Sequence, residues 1–309
     1  MMRTALITHP ACLEHDTGRG HPERIDRLRA VLQALQAPEF AGLQWIEAPT
    51  AEREAIERIH DAGYVETVFA AIPAEGHAML DGDTIVSPGS GEAALRAAGA
   101  VILAVDRLAA GEIDNAFCAV RPPGHHAEAD RAMGFCLFNN VAIGAAHARA
   151  VYGWQRVAVM DFDVHHGNGT QHSFAADPDF FYASTHQMPL YPGTGARSER
   201  GVGNIVNSPL PPGAGSAAFR NAMTAQVLPA IAAFAPDLIM ISAGFDAHEA
   251  DPLASLELET ADFAWATTEL LSLAKRLCQG RLISALEGGY DLQALADSSA
   301  AHVAALMRG

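Results

Sequence analysis

Short apolar runs alternate along the chain with longer segments in which apolar residues recur every three to four positions. Six of the short runs are bounded by polar or turn-forming residues, which is typical of buried parallel strands. The longer segments have the spacing of amphipathic helices, as where Leu28, Leu32 and Leu35 share one face. The predicted strands are 4–8, 116–120, 157–160, 180–184, 238–242 and 282–286, and the predicted helices are 24–35, 92–108, 141–152, 219–234 and 261–277.

Strands that alternate with helices favour right-handed crossovers and a parallel sheet with helices on both faces. We therefore predict an α/β fold, a three-layer α/β/α sandwich around a mainly parallel sheet. No internal repeat, low-complexity tract or Ser/Gly linker divides the sequence. Residues 1–309 are accordingly predicted to form a single domain.

Composition narrows the class of protein. The 309 residues are 50% hydrophobic and 18% charged, which suits a packed interior and disfavours intrinsic disorder. Lys and Arg total 20 against 36 Asp and Glu, a formal net charge of −16. An acidic surface repels phosphate backbones, so direct binding of nucleic acid is not expected and a cationic ligand is mildly favoured.

Cysteine usage and hydropathy bear on location. The four cysteines are scattered without a C-x-x-C pair, which is typical of a reducing compartment rather than of a disulfide framework. The first residues lack the apolar core of a signal peptide. The longest apolar stretch near the middle, 97–105, covers only about half a membrane span. We expect a cytoplasmic protein that does not enter a membrane.

Chemically rich segments follow four of the predicted strands. In open parallel sheets, ligand sites form at the carboxyl ends of strands, so these segments are expected to meet. Each has an ordinary explanation alone, since a lone D-x-D often caps a helix and a lone His pair occurs in surface loops. Their convergence favours one functional pocket. The segments are RPPGHH (121–126), DFDVHHGNG (161–169), AGFDAH (243–248) and EGGYD (287–291).

Three of these residues have the spacing of metal ligands. Asp161, Asp163 and His165 alternate, so in extended backbone their side chains point to the same side. Asp163 and His165 could bind one cation together, with Asp246 from another strand end as the third ligand. Two carboxylates and one imidazole leave a position open, as in catalytic rather than structural zinc sites. Asp161 could be a further ligand, orient a histidine or bind a second ion.

A histidine pair and a tyrosine could supply the proton chemistry of hydrolysis. Hydrolysis needs a base for water and an acid for the leaving group, and a histidine of near-neutral pKa can serve as both. His125 and His126 offer one such group and a charge-bearing partner. Tyr290 follows two glycines and could stabilise an oxyanion as a neutral donor. Taken alone, a Gly-Gly-Tyr is more often a turn with a packed aromatic ring.

Together these segments resemble the histone deacetylase family, and specifically its second class, which includes bacterial deacetylase-like amidohydrolases. The resemblance runs in family order along nearly the whole chain. It implies an arginase-like α/β fold and hydrolysis of an acyl-lysine amide with one zinc ion per chain. The matching segments are HPERIDRL (21–28), RPPGHH (121–126), GFCLFNN (134–140), DFDVHHGNGT (161–170), YPGTG (191–195), SAGFDA (242–247) and EGGYD (287–291).

The resemblance implies a role for each catalytic candidate. It makes Tyr290 the donor that polarises the carbonyl, and it makes Asn168 a neutral orienter where the first class has an aspartate. The remaining implied roles are zinc ligation by Asp163, His165 and Asp246, general base and acid catalysis by His126, and electrostatic support by His125, hydrogen-bonded toward Asp161.

The resemblance also implies a substrate channel and structural cations. Phe135 and Tyr191 correspond to its aromatic walls, with tyrosine at 191 where phenylalanine is commoner. Gly134 corresponds to the acceptor of the scissile N–H, Asp83 to a rim aspartate that anchors substrate backbone, and Arg27 to an arginine near an acetate-release cavity. K⁺ or Na⁺ is expected at two sites, one formed by Asp161, Asp163, His165, Ser184 and Thr185 and the other by Phe174, Asp177, Phe180 and Asn204.

Three other functions stay open. An acetylpolyamine amidohydrolase suits the negative charge, but polyamine-selective relatives place a glutamate seven residues after the third zinc ligand, where this chain has Leu253. A binuclear manganese ureohydrolase needs a second carboxylate beside Asp246. A non-catalytic acyl-lysine binding module is disfavoured by the intact ligands, His pair and tyrosine. The expected ligand is an acyl-lysine peptide or an acetylated small amine, and a homo-oligomer is among the expected assemblies.

Overall fold

The computed structural model describes residues 2–309 and contains an eight-stranded sheet and a separate two-stranded hairpin. The strands are β1 (Thr4–Thr8), β2 (Gln44–Glu47), β3 (Ala78–Met79), β4 (Ile85–Val86), β5 (Asn115–Cys118), β6 (Val157–Asp161), β7 (Phe180–Gln187), β8 (Ile205–Leu210), β9 (Leu238–Ala243) and β10 (Leu282–Leu286). The large sheet has the order β2-β1-β5-β10-β9-β6-β7-β8, and every neighbouring pair in it is parallel. The antiparallel hairpin is β3–β4.

Helices cover both faces of this sheet. α4 and α5 pack together against β1, β5, β6 and β9, whereas α1, α9 and α10 pack together on the other side. The helices are α1 (Ile25–Ala34), α2 (Arg53–Ile56), α3 (Ala62–Ala71), α4 (Ser90–Ala109), α5 (Asn140–Tyr152), α6 (Asn168–Phe174), α7 (Ser216–Ala222), α8 (Leu228–Phe234), α9 (Thr260–Leu277) and α10 (Leu292–Arg308). The predicted three-layer α/β/α sandwich is confirmed. Among residues 2–309, no helix is both long enough and apolar enough to cross a membrane.

All six predicted strands are present, and the differences have physical causes. β2 lies at the sheet edge with most of its side chains exposed, so it lacks an apolar run. β8 forms the other edge and contains Asn207, Ser208 and Pro209. The helix predicted over 219–234 is interrupted by a π-helical turn, Met223–Val227. Pro229 follows that turn, and a proline can neither donate a backbone N–H nor fit against the carbonyl four residues earlier.

Helix α4 packs closely against the backbone of the loop that contains Pro49. A Cβ added to Gly99 of α4 would lie only 1.9 Å from the carbonyl oxygen of Pro49, so the helix approaches that loop as only glycine allows. The four central strands, β5, β10, β9 and β6, are buried throughout. They are consecutive in the sheet, and because all are parallel, their carboxyl ends lie at one edge. The four polar segments predicted to converge follow these four strands.

Candidate active site

Three buried side chains form a group that could hold a metal ion. One ligand atom from each of Asp163, His165 and Asp246 lies within 4.8 Å of the others. His165 Nδ1 is 3.2 Å from Asp163 Oδ1 and 3.1 Å from Asp246 Oδ2. The two carboxylates are also anchored by main-chain N–H groups, from Val164 to Asp246 Oδ1 and from Gly288 to Asp163 Oδ2, at 2.8 Å each. The donor set of two carboxylates and one imidazole suits zinc.

The electrostatics of this group also favour a bound cation. Burial, and then the neighbouring Asp163 carboxylate, raise the pKa of Asp246 to about 7. Burial opposes the charge of His165, but its bonds to the two carboxylates raise its pKa to about 10. Two carboxylates forced together in a low-dielectric site are stabilised by a shared positive charge. The residues present therefore fit a divalent ion.

Two glycines make room for these carboxylates. A Cβ at Gly244 would lie 2.0 Å from Asp163 Oδ2, and one at Gly288 would lie 2.1 Å from Asp246 Oδ2. No larger residue could occupy either position without moving a carboxylate. This explains why glycine stands at both positions in the segments SAGFDA and EGGYD.

Asp161 is placed beside the histidine pair rather than in the metal group. Its Oδ2 lies 3.0 Å from His125 Nδ1 and accepts a hydrogen bond from the Tyr182 hydroxyl at 3.0 Å. Its Oδ1 accepts from the N–H of Asp163 at 3.1 Å. Asp161 is the last residue of β6 and Asp163 lies beyond it, so the alternation of an extended strand no longer aligns them. Of the three roles left open for Asp161, this geometry fits the orientation of a histidine.

His125 and His126 lie in different electrostatic environments although their rings are 4.0 Å apart. Burial opposes a charge on His125, but Asp163 and Asp161 raise its pKa well above the usual value. Burial, and then the positive charge on His125, lower the pKa of His126 well below it. These opposite pKa shifts favour the charged form of His125 and the neutral form of His126.

Asn168 sets the tautomer of the neutral histidine. Its Nδ2 donates to Glu128 Oε1 at 2.8 Å and to the carbonyl of His126 at 3.3 Å, so its Oδ1 faces His126 Nδ1 at 2.8 Å. Because Oδ1 can only accept, the ring proton lies on Nδ1. The lone pair of His126 is then on Nε2.

Tyr290 lies four residues beyond the end of β10 and is partly buried. The Arg27 guanidinium is 4.8 Å from the centroid of the tyrosine ring. Burial, offset in part by Arg27, raises the pKa of Tyr290 well above 10, so its hydroxyl stays a donor at neutral pH. The structure thus brings Tyr290 to the same cavity as His126 and His165.

This cavity, which we call the channel, has a volume of about 250 Å³. His126 and His165 lie at its base, and the rings of Phe135 and Tyr191 flank it: Tyr191 lies edge-on to His126 at 5.2 Å and Phe135 edge-on to Tyr290 at 5.9 Å. Every channel residue predicted from the sequence lines it, and Leu190 is an additional one. The lining residues are Asp83, His126, Gly134, Phe135, His165, Leu190, Tyr191, Leu253 and Tyr290.

One wall of the channel has an unusual backbone. Gly134 and Phe135 both have positive φ, 56° and 68°, and a Cβ at Gly134 would lie 2.4 Å from the His126 ring. Asp83 Oδ1 accepts from the N–H of Gly134 at 3.1 Å, and the Thr84 hydroxyl accepts from the N–H of Phe135 at 3.2 Å. Asp83, predicted as an anchor for substrate backbone, is thus bonded to the protein's own backbone at the channel wall.

Comparison with known proteins identifies the family. Residues 21–306 match the histone deacetylase domain. The chain belongs to the histone deacetylase family. It is 40% identical to the histone deacetylase-like amidohydrolase of Pseudomonas aeruginosa, over 93% of this chain and 82% of that protein. It is also 40% identical to histone deacetylase 14, chloroplastic, of Arabidopsis thaliana, over 96% of this chain and 75% of that protein.

A solved structure gives the same answer for the fold. The HD domain of HDA15 superposes with a TM-score of 0.92 at 34% identity, covering 98% of this chain and 88% of that one. The resemblance drawn from the motifs is therefore confirmed, and so is the fold that it implied. In this histone deacetylase fold, the metal group, the His pair and Tyr290 all come from loops at the carboxyl edge of the sheet.

The residues of the two predicted cation sites lie in two separate groups. The carbonyl oxygens of Phe174, Asp177 and Phe180 converge on the Asn204 side-chain nitrogen at 2.7 to 2.9 Å, where its two N–H bonds are shared among them. In the other group, Ser184 Oγ lies 2.8 Å from His186 Nδ1. The buried Thr185 hydroxyl has no hydrogen-bond partner within residues 2–309. Occupancy of both groups by K⁺ or Na⁺ stays a prediction.

Several residues that support the site were not singled out from the sequence. Glu23 accepts hydrogen bonds from both Arg27 and Arg121 in a cluster with no exposed side-chain surface. The carboxylate of Glu287 accepts from the N–H groups of Gly124 and His125, at 2.6 and 3.1 Å. Glu23, Arg121 and Glu287 stand in the segments that matched the family. They could have been found by asking which charged residues there have no catalytic role.

All three side-chain nitrogens of Arg27 donate hydrogen bonds in this supporting network. Its Nε donates to the carbonyl of Gly289 at 2.5 Å, one terminal nitrogen donates to the carbonyl of Glu287 at 2.6 Å, and the other donates to Glu23 at 2.8 Å. The predicted place of Arg27 beside an acetate-release cavity stays a prediction. Its hydrogen bonds here hold the segment that carries Tyr290.

Proposed function

We propose that this protein is a zinc-dependent deacetylase that hydrolyses the side-chain amide of acyl-lysine. The observation that carries the proposal is that the metal group, the neutral His126 and Tyr290 meet at the base of one aromatic-walled channel. Membership of the histone deacetylase family supports hydrolysis of an amide, and matched relatives include a probable deacetylase of Archaeoglobus fulgidus.

Asp163, His165 and Asp246 would hold the ion. Zinc, when bound, would act as a Lewis acid toward the amide carbonyl and lower the pKa of water. The glycines at 244 and 288 and the main-chain N–H groups keep the three ligands in place. Membership of the family supports structural monovalent cations in addition, at the two groups predicted from the sequence.

His126 would move the protons of the reaction. Its neutral Nε2 accepts a proton from the attacking water and then donates that proton to the departing lysine amine. The charged His125, held by Asp161, stabilises negative charge that develops nearby. This protonation is needed because without it the nitrogen would have to leave as an amide anion, which is a very poor leaving group.

Tyr290 and the channel would hold the substrate. The Tyr290 hydroxyl donates a hydrogen bond to the amide oxygen. This hydrogen bond becomes stronger as negative charge develops on that oxygen. Phe135 and Tyr191 enclose an unbranched methylene chain such as the lysine stem, and the Gly134 carbonyl accepts from the scissile N–H. Leu253 keeps the channel lining apolar at the position where polyamine-selective relatives carry a glutamate.

Turnover of an acetyl-lysine peptide by Tyr290→Phe tests the central role. Removing one oxyanion donor costs about 100- to 1000-fold in kcat. Tyr152→Phe is the matched control, because that phenol is exposed and bonds only Asp106. Metal analysis should give one zinc per chain, and a chelator should abolish turnover until zinc is restored. Undiminished turnover by Tyr290→Phe would show that the proposed role is wrong.

The apolar residue Leu253 in the channel bears on the class of substrate. We propose a faster reaction with acetyl-lysine peptides than with N8-acetylspermidine, since Leu253 offers no charge to a second amine. Parallel rates on the two substrates decide between them.

The four cysteines are free and buried, which supports a reducing compartment such as the cytoplasm.

A further inference from the structure

The segment that carries Tyr290 has little rigidity of its own. It leaves β10 through Gly288 and Gly289, and Gly289 adopts φ +123°, a conformation that favours glycine. Hydrogen bonds to its main chain therefore set where the phenol lies. Arg27 donates to the carbonyls of residues 287 and 289, and Asp163 accepts from the N–H of Gly288.

The N–H of Tyr290 itself is bound by Asp251. Asp251 Oδ2 accepts from Tyr290 N–H at 2.7 Å and from Asp291 N–H at 3.4 Å. Its Oδ1 accepts from Leu253 N–H at 3.0 Å. The residue is only 6% exposed, so a carboxylate is kept out of water with main-chain N–H groups as its hydrogen-bond partners. Burying a carboxylate costs free energy unless hydrogen bonds compensate for the lost water. Here the compensation comes from the N–H groups of the two loops that line the channel.

We infer that Asp251 is a positioning residue that holds Tyr290 and the Leu253 loop in register across the channel. This inference rests on the role proposed for Tyr290. Asp251 lies five residues after Asp246, in the loop that also supplies Leu253 to the channel. One carboxylate thus joins the segment of the carbonyl-polarising donor to the segment that bounds the substrate.

Asp251→Asn tests the inference with almost no change in volume. The amide NH₂ group cannot accept a hydrogen bond, and the remaining amide oxygen is a weaker acceptor than a carboxylate oxygen, so both loops are held less tightly. We expect kcat to fall about 10- to 100-fold, as for small displacements of catalytic groups. KM should change by a smaller factor than kcat, because Phe135 and Tyr191 are untouched and only Leu253 among the channel walls loses a hydrogen bond. Rates are expressed per site titrated with a hydroxamate inhibitor, so that unfolded protein does not count.

Asp291→Asn is the matched control. Asp291 is adjacent to Tyr290 but caps α10 through Ala294 N–H, and asparagine caps helices equally well. Its kcat should stay within about twofold of the parent. In the Tyr290→Phe background, Asp251→Asn should cause no further loss, because the hydroxyl that it positions is already absent.

Each outcome is decisive. An unchanged kcat for Asp251→Asn, or the same fold-loss with and without the Tyr290 hydroxyl, overturns the inference. If Tyr290→Phe keeps full turnover, the proposed role of Tyr290 is wrong. If Tyr290→Phe loses turnover but Asp251→Asn does not, only the inference about Asp251 is wrong. Should Asp251→Asn not fold, Asp251→Glu keeps both acceptors but displaces them, and it is judged by the same comparison in the two backgrounds.

Discussion

Replacing His302 by glutamine should make the protein less sensitive to acid. His302 lies on α10 with no exposed surface, packed edge-on to Phe117. Its Nδ1 is 2.6 Å from the Thr267 hydroxyl. That hydroxyl donates its proton to the carbonyl of Phe263, so Nδ1 must be the donor to Thr267. Its Nε2 then accepts from Ser284 at 2.8 Å. A second ring proton would break that bond, and burial lowers the pKa of His302 to about 3.

The magnitude follows from the gap between the folded and unfolded pKa values. The unfolded chain binds a proton near pH 6.5 that the folded chain excludes until about pH 3, so stability is intact above 6.5 and falls as pH drops through that window. Each pH unit within it costs about 1.4 kcal/mol. Between pH 7.5 and pH 5, His302 alone should lower the free energy of unfolding by about 2 kcal/mol.

Urea unfolding at these two pH values measures the effect. The loss of stability from pH 7.5 to pH 5 should be about 2 kcal/mol smaller in His302→Gln than in the parent. His172→Asn is the control, because its side chain is 68% exposed, and it should lose as much as the parent. Other acid-sensitive groups cancel in this double difference. If His302→Gln loses as much stability as the parent, burial of a neutral His302 is not a source of the acid sensitivity.

Three further outcomes are expected. Glu23→Gln should lower the free energy of unfolding by about 3 to 5 kcal/mol in urea titrations, because two buried guanidinium groups lose their counter-charge. Gly99→Ala should lower Tm by several degrees, since its Cβ would overlap the carbonyl of Pro49, whereas Gly63→Ala, with nothing within 4 Å, should not; equal Tm values would contradict the close approach. Leu253→Glu should raise the rate on N8-acetylspermidine relative to an acetyl-lysine peptide by about fivefold, the worth of one exposed ion pair; an unchanged ratio would remove Leu253 as a determinant.

Much of the fold could be predicted from hydrophobic periodicity. The central strands are buried on both faces, so their sequences are continuous apolar runs such as LIMIS at 238–242. The edge strands β2 and β8 lack a long apolar run for different reasons: β2 is mostly exposed, whereas β8 has the polar residues Asn207 and Ser208 at buried positions. The sequence also located the active-site segments, since the polar residues that follow buried strands stand out against their apolar neighbours.

Only the tertiary structure separated the roles within those segments. Period-two spacing placed Asp161 and Asp163 on one side, but the strand ends at Asp161, and its carboxylate bonds His125 and Tyr182 instead. The supporting residues were decided at the same level. Asp251 and Glu287 act on main-chain N–H groups brought close by the fold, and an N–H group is the same at every residue except proline. The sequence identifies each side chain and its chemistry. Which main-chain groups a side chain contacts depends on the loops that the sheet brings together.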